Sequence, residues 1–201
     1  PELVRQLTNK PVMVALTHGH IDHAGGMNQF EEVYLHPADF AMAQAVTPEE
    51  RGGYVDTMLS MSDGIYSVTR YDVVVPKTRA RLLPLQGGTY LHLGNRDVMV
   101  FDTPGHTGGL SYLDKKERLL FSGDACNMNT LLAAMGQPAT ERTCVTALKQ
   151  TAEKLEALHP YYDRHYNGHI GYADAKSCMP MPECLVRDCI APVSYTHLTL
   201  P

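Results

Sequence analysis

His18, His20, Asp22 and His23 stand within six residues of one another, directly after the apolar run 11–16 (PVMVAL). Imidazoles and carboxylates are the donors that borderline divalent cations such as zinc take, and the spacing says how they could be shared. In an extended segment side chains two apart point the same way, so His18 and His20 can grip one ion. Asp22 and His23 fall where the chain turns toward a helix, with Ala24, Gly25 and Gly26 leaving room, and can face a second ion. The pattern of an apolar strand running into a turn that opens on a ligand-type residue recurs three times: DVMVF before His106, RLLF before Asp124 and DRHY before His169. If those strands share a direction, seven ligand side chains reach one rim, enough for two ions rather than one. Asp124 has two oxygens on a short stem and suits a position between both ions, with His106 completing the first set and His169 the second.

Each of these residues has a plainer reading. His165 lies four residues before His169 and could replace it; His169 is favoured because it follows the glycine turn. His36, at a strand end before a proline, reads as structural, with substrate contact as the alternative, while His92 and His159 read as surface or packing residues. Thr103, Thr107 and Asp102 flank His106 and could hold its ring, since a metal-bound imidazole usually donates its other N–H to a carboxylate or carbonyl; Ser111 is further off. Cys126 and Asn127 follow Asp124 and could line the site, but a cysteine nucleophile needs a paired base that the sequence does not display. The stretch 58–61, rich in methionine, reads as core or as an adaptable apolar wall.

The elements that must position these groups follow from pattern. Apolar runs at 11–16 and 32–35 read as strands. Residues 38–64, with Pro48 as a first-turn residue followed by Glu49 and Glu50, read as two helices. Strands are expected at 71–75 and 81–85, a hairpin from 90–93 to 97–101 through Gly94 and Asn95, and another from 110–113 to 118–121. Val145, Leu148, Ala152, Leu155 and Leu158 form one apolar stripe on a helix over 143–158. Residues 161–166 return to the sheet, and 174–191 read as helical with interruptions at Pro180 and Pro182.

A chain of 201 residues with 44% apolar and 19% charged residues is expected to form one domain over 1–192, with 38–84 as a substrate-side insertion. It has no apolar run near the roughly 18 residues needed to span a bilayer. The net charge of −5, without any basic block, offers a polyanion no footprint, so no nucleic acid partner is expected. Five cysteines without a CxxC spacing fit a reducing compartment, and the cytoplasm is the expected location. The opening on Pro1 reads as a chain missing its natural N-terminus, leaving a signal peptide open, and 193–201 reads as a non-native tail, so His197 within it receives no weight.

The segments THGHIDHAGG (17–26), TPGHTGG (103–109), FSGDA (121–125) and NGH (167–169) resemble, in order and separation, the four metal motifs of the metallo-β-lactamase-fold hydrolases. The resemblance covers most of the chain from Val12 to about Tyr172. It implies an α/β (α+β) fold, an αβ/βα sandwich with the site at one edge of two packed sheets, here lacking its first strands. It also implies two ions held by His18, His20, Asp22, His23, His106, Asp124 and His169, with zinc expected and manganese or iron as alternatives. Two such ions lower the pKa of a shared water toward about 7, and Asp22 would orient the resulting hydroxide. The expected activity is hydrolysis of a small ester, thioester or lactone, as in the glyoxalase-II-like and lactonase branches. Phosphodiester or RNA cleavage, a mono-iron persulfide dioxygenase and an inactive binding fragment remain as alternatives. Tyr54, Tyr66, Arg70 and Tyr172 are candidate substrate contacts without diagnostic spacing.

Overall fold

The computed structural model describes residues 1–169 apart from 63, 65, 75 and 127–139. The expected helix over 174–191, the tail at 193–201, Tyr172 and Asn127 lie outside the described residues. The chain opens on helix α1 (Glu2–Leu7), whose side chains bury nothing, and then runs extended to the ligand loop. Residues 11–16 do not form a full strand. They make a single parallel bridge, Ala15 to Tyr34, held by Leu16 N–H to Tyr34 O at 2.9 Å and Tyr34 N–H to Val14 O at 2.8 Å.

Helix α2 (Ile21–Ala24) follows the loop, then strand β1 (Glu32–Leu35), helix α3 (Phe40–Ala45) and helix α4 (Pro48–Ser60). The start of α4 is fixed by a capping box: the Thr47 hydroxyl accepts from Glu50 N–H, the Glu50 carboxylate accepts from Thr47 N–H, and Pro48 sits at the first position. The expected strand at 71–75 is replaced by a 3-10 turn, Arg70–Asp72. Thr69 and Asp72 cap that turn reciprocally, and Tyr71 is 90% exposed, so the aromatic and β-branched residues there have no sheet to pleat against. Strand β2 (Arg81–Pro84) then returns parallel to β1.

Strands β3 (Tyr90–His92), β4 (Asp97–Asp102), β5 (Leu110–Asp114), β6 (Leu119–Gly123) and β7 (Arg164–Asn167) form one sheet in sequence order. Its pairs are antiparallel except β6 with β7, which run parallel after the crossover through helix α5 (Val145–Leu158). Since β5 runs opposite to both its neighbours, β4, β6 and β7 all point the same way, and the three turns carrying His106, Asp124 and His169 leave the sheet at one edge.

Side-chain alternation stacks the layers. Val33 and Leu35 of β1, with Val14 and Leu16 beside them, face Ala24 and Ala43 of α2 and α3, whereas Tyr34 and Ala15 face Val100, Leu110 and Tyr112 of the larger sheet. The opposite face of that sheet, Leu113 and Leu120 with Met99 and Phe101, meets Ala152 and Leu155 of α5. The order is helices, two-stranded sheet, five-stranded sheet, helix: an αβ/βα sandwich. No helix among the described residues is long and apolar enough to cross a membrane.

Leu120 is fully buried between sheet and α5. Leu120→Ala is expected to lower the free energy of unfolding by about 2–5 kcal/mol, read as a lower urea midpoint at unchanged slope.

Candidate metal centre

The first ligand loop leaves the 14–16 segment at Thr17, with His18 and His20 in extended backbone before α2. The His18 ring is oriented by Thr17 Oγ1, 3.2 Å from its Nδ1, which turns Nε2 inward. One turn of α2 lifts Asp22 and His23 onto the same rim. His106 sits in the turn after β4, where Gly105 has φ +134 and packs so tightly on Leu148 of α5 that a Cβ would collide with its backbone. Thr151 Oγ1 donates to Pro104 O at 2.6 Å and Gly105 N–H to Arg142 O at 2.8 Å, clamping this turn onto α5 and the turn that precedes it. Asp124 follows an irregularity in β6 between Phe121 and Gly123. Gly123 has φ +53, and its Cα faces the Thr17 side chain with no room for a Cβ, so the Asp124 turn abuts the first ligand loop. His169 follows Gly168, whose N–H donates to Gly123 O at 3.1 Å and where a Cβ would strike the Asp124 carboxylate.

The side chains converge. The ligand atoms of His18, His20 and His106 lie within 4.8 Å of one another, as do those of Asp22, His23 and His169, and those of His18, His23 and Asp124 form a third set joining the two. Asp124 is central: its Oδ2 is 2.9 Å from His169 Nε2, 3.5 Å from His106 Nε2 and 4.0 Å from His18 Nε2, and its Oδ1 is 3.3 Å from His23 Nε2. Asp22 Oδ2 lies 3.4 Å from His23 Nε2 and 3.2 Å from His169 Nε2. His18, His106 and Asp124 are buried and form the floor, while Asp22 and His169 are exposed at the mouth. Three buried atoms, Nε2 of His18, Nε2 of His23 and Oδ1 of Asp124, make no hydrogen bond. Buried polar atoms are ordinarily satisfied, and His18 Nε2, Asp124 Oδ1 and, once its proton is displaced, His23 Nε2 are donors grouped closely enough for one cation to satisfy, so the residues present fit a metal.

The electrostatics divide the imidazoles. Burial, reinforced by the neighbouring His23 charge, drives His18 down from 6.5 to about 2, so it stays neutral and can present a lone pair. Burial opposes charge on His23 too, but the Asp124 and Asp22 carboxylates outweigh it and raise it to about 9. Asp22 in turn falls to about 2, burial being outweighed by His23, and His23 and His18 hold Asp124 well below the usual carboxylate range despite its burial. Without a cation His23 carries the positive charge of the site.

Several expected roles fall elsewhere. Thr103 Oγ1 pairs with Ser111 Oγ at 2.9 Å, and Asp102 Oδ1 accepts from Gly87 N–H at 2.8 Å, because the β4–β5 pairing draws both toward the sheet. Thr107 donates to Asp39 Oδ2 at 2.8 Å. His165 is buried on the far side of β7 with Nε2 2.6 Å from Ser122 Oγ, away from Asp124, since neighbours on a strand alternate faces. His36 accepts from Ala38 N–H at 3.1 Å and caps a turn, His92 pairs with Asp97 on the surface, and Cys126 is buried in the core against α5. Met58 and Met61 are 39% and 72% exposed and stand outside the core clusters of the described residues. Tyr66 is exposed, and Arg70 pairs with Asp56 at 3.3 Å. Tyr54 bonds Asp22, and burial together with that carboxylate pushes its phenol up.

Asp39 is the residue that sequence reasoning passed over. It is completely buried, and its carboxylate accepts from Gly19 N–H at 3.1 Å, Thr107 Oγ1 at 2.8 Å and Gly108 N–H at 2.9 Å. One side chain thereby ties the His18–His20 loop to the His106 turn. The only signal was an acidic residue shortly after the β1 strand end, which many turns share.

With this fold and centre in view, comparison with known proteins is direct. The family model described as Metallo-beta-lactamase superfamily matches residues 2–162, and the chain belongs to that superfamily. It is 33% identical over 141 residues to the acyl-coenzyme A thioesterase MBLAC2 of Homo sapiens, covering 65% of this chain and 47% of that protein. To the protein of the same name from Bos taurus it is 35% identical over 133 residues, 61% of this chain and 44% of that one. The chain thus spans under half the length of these relatives. Among solved structures, a metallo-beta-lactamase family protein from Thermus thermophilus matches with a TM-score of 0.55 at 27% identity, covering 87% of this chain and 59% of that chain. TTHA1623, solved in a di-iron-bound form, matches with a TM-score of 0.57 at 22% identity, covering 90% and 83%.

The His18 and His23 shifts act in opposite windows. His23, raised from 6.5 to about 9, stabilises the metal-free fold fully below pH 6.5 and loses that contribution as pH rises through about 9. His18, lowered from 6.5 to about 2, costs stability as pH falls below 6.5, because the unfolded chain then binds a proton that the folded one refuses. Melting of chelator-treated protein is therefore expected to be highest near pH 6.5, and in His23→Gln the decline on the alkaline side should be reduced. Asp39→Ala leaves three donors unsatisfied and is expected to cost about 2–4 kcal/mol of stability and at least about tenfold in metal affinity. Denaturant titration and competition with a chromophoric chelator measure the two effects.

Proposed function

We propose that this chain is the metal-binding part of a hydrolase that cleaves thioesters. The observation that carries the reading is the set of three buried, unbonded donor atoms on His18, His23 and Asp124, flanked by four further imidazole and carboxylate ligands. The seven residues proposed to hold two cations are His18, His20 and His106 for one, Asp22, His23 and His169 for the other, and Asp124 between them. Nitrogen and oxygen donors without a thiolate suit zinc, and also manganese or iron. Bound there, two such cations supply Lewis acidity toward a carbonyl oxygen and a nucleophilic hydroxide at neutral pH.

The residues of the chain set the rest. Asp22 stands at the exposed mouth, ionised, with Tyr54 bonded to it, and is placed to orient the proton of the attacking water. Attack at the carbonyl carbon expels the sulfur, the C–S bond breaks, and the products are a carboxylate and a thiol. A thiolate, with an ordinary thiol pKa of about 8.5, departs without a dedicated acid, which suits a mouth whose carboxylate, Asp22, is held ionised. The similarity to acyl-coenzyme A thioesterases supports the thioester over the ester or lactone, and a lining of the adjoining cavity that holds no lysine or arginine among the described residues supports a carbonyl over a phosphodiester.

The expected result is about two equivalents of metal per chain, thioester hydrolysis that a chelator abolishes and added zinc restores, and a loss of at least about a hundredfold in kcat/KM in His106→Ala. Elemental analysis and a panel of thioesters, lactones, phosphodiesters and β-lactams check it. One iron per chain with oxygen consumption, or activity confined to phosphodiesters, would overturn it.

A further inference from the structure

A cavity of about 740 Å³ opens beside the metal centre between the ligand loop and the helices α3 and α4, with Gly19, His20 and Ile21 forming its inner end. Its size lies within the range of roughly 300–1,000 Å³ usual for small-molecule sites. We propose that this groove holds the apolar acyl chain of the substrate, with the carbonyl end at His20 and the thiol portion directed away from it. The assignment rests on the thioester reading above and adds which half of the substrate the protein recognises.

Three observations carry it. The first is continuity: His20 belongs both to the ligand cluster and to the groove wall, and Tyr54 lines the groove while bonding Asp22, so a molecule lying in the groove has its end at the reacting centre. The second is the wall. Ala41 and Ala45 stand four apart on α3 and share one helical face, where two methyl side chains leave a trough. Ile21, Met42 and Val46 form its apolar sides, and a methionine can adapt to chains of differing length.

The third observation is charge. Among the described residues the lining holds no lysine or arginine, and its one carboxylate is that of Glu50, which accepts from Thr47 N–H at 2.7 Å at the helix start. A carrier bearing phosphates is recognised through arginine and lysine and would meet among the described lining residues no such cation and the carboxylate of Glu50 instead. An alkyl chain has neither requirement. Of the two halves of a thioester, the acyl half matches this wall.

The test is a series of acetyl, hexanoyl and decanoyl thioesters of one thiol, with the metal-loaded chain and with Ala41→Phe and Ala45→Phe. Both alanines are exposed on the groove wall, so the larger side chains fill the trough without entering the core. In the unsubstituted chain kcat/KM is expected to rise with length by up to about fourfold per methylene, the factor set by about 0.8 kcal/mol per buried CH₂. In each variant the decanoyl-to-acetyl ratio should fall at least about tenfold, equivalent to losing roughly two buried methylenes. Calorimetric binding of decyl and methyl thioethers of the same thiol to metal-free protein gives a readout independent of turnover, and the decyl compound is expected to bind more tightly, with the preference reduced in both variants. Hydrolysis that is flat in chain length, or a ratio unmoved by both substitutions, overturns the groove assignment and leaves the thioester reaction standing. No hydrolysis of any thioester by the metal-loaded chain overturns the reaction, and the assignment of an acyl chain with it.

Discussion

The arrangement depends on crowding electron-pair donors together with a single proton, on His23, as the only opposite charge that the described residues of the centre supply. His18, His106 and Asp124 form a buried floor, and leaving a buried polar atom unbonded costs about 1–3 kcal/mol. Three such atoms on His18, His23 and Asp124 are tolerable only because the surrounding backbone is over-determined. Gly105 against α5, Gly123 against Thr17 and Gly168 against Asp124 leave no space for a Cβ, so each ligand turn is wedged in place by another element. The partial answer within the chain is a protonated His23 between two carboxylates, and a cation at the same place would have to displace that proton.

Asp39 extends this constraint beyond the ligands. Its carboxylate takes three hydrogen bonds from two loops. The histidines of those loops, His20 and His106, are 86 positions apart in sequence yet come within 3.0 Å of each other through Nδ1 and Nε2. Asp39 immediately precedes α3, so the residue whose carboxylate aligns the ligand loops is also the one from which the helix that walls the groove departs. Position of the reacting centre and position of the proposed acyl site are thus referred to one buried group.

What was legible in the sequence was what local pattern determines. The THGHIDH and TPGHTGG segments announce donors, alternation places β4 to β6 within a residue or two, and the apolar stripe places α5. Strand 71–75 failed because Thr69 and Asp72 could satisfy a turn locally, a competition that β-propensity does not register. The single bridge at Ala15 shows the converse: residues 14–16 keep strand alternation with Val14 and Leu16 on one side and Ala15 on the other, although they lack a ladder. The roles given to Thr103 and Asp102 failed because strand pairing, not sequence proximity to His106, decides where their oxygens point. Asp39 and the groove were invisible for the same reason, since both arise only when segments distant in sequence are packed together.

Strands β1 and β2 lie side by side and parallel, Glu32 opposite Arg81 and Leu35 opposite Pro84, so everything from residue 36 to 80 is one crossover that leaves the pair at its Leu35 end and re-enters at the opposite end, at Arg81. Its first few residues supply Asp39; the remainder supplies walls. A crossover anchored this way behaves as an exchangeable cassette: most of it can be rewritten for a different cargo while the two sheets and the donors at their edge keep their coordinates, provided the one anionic peg at its entrance is retained.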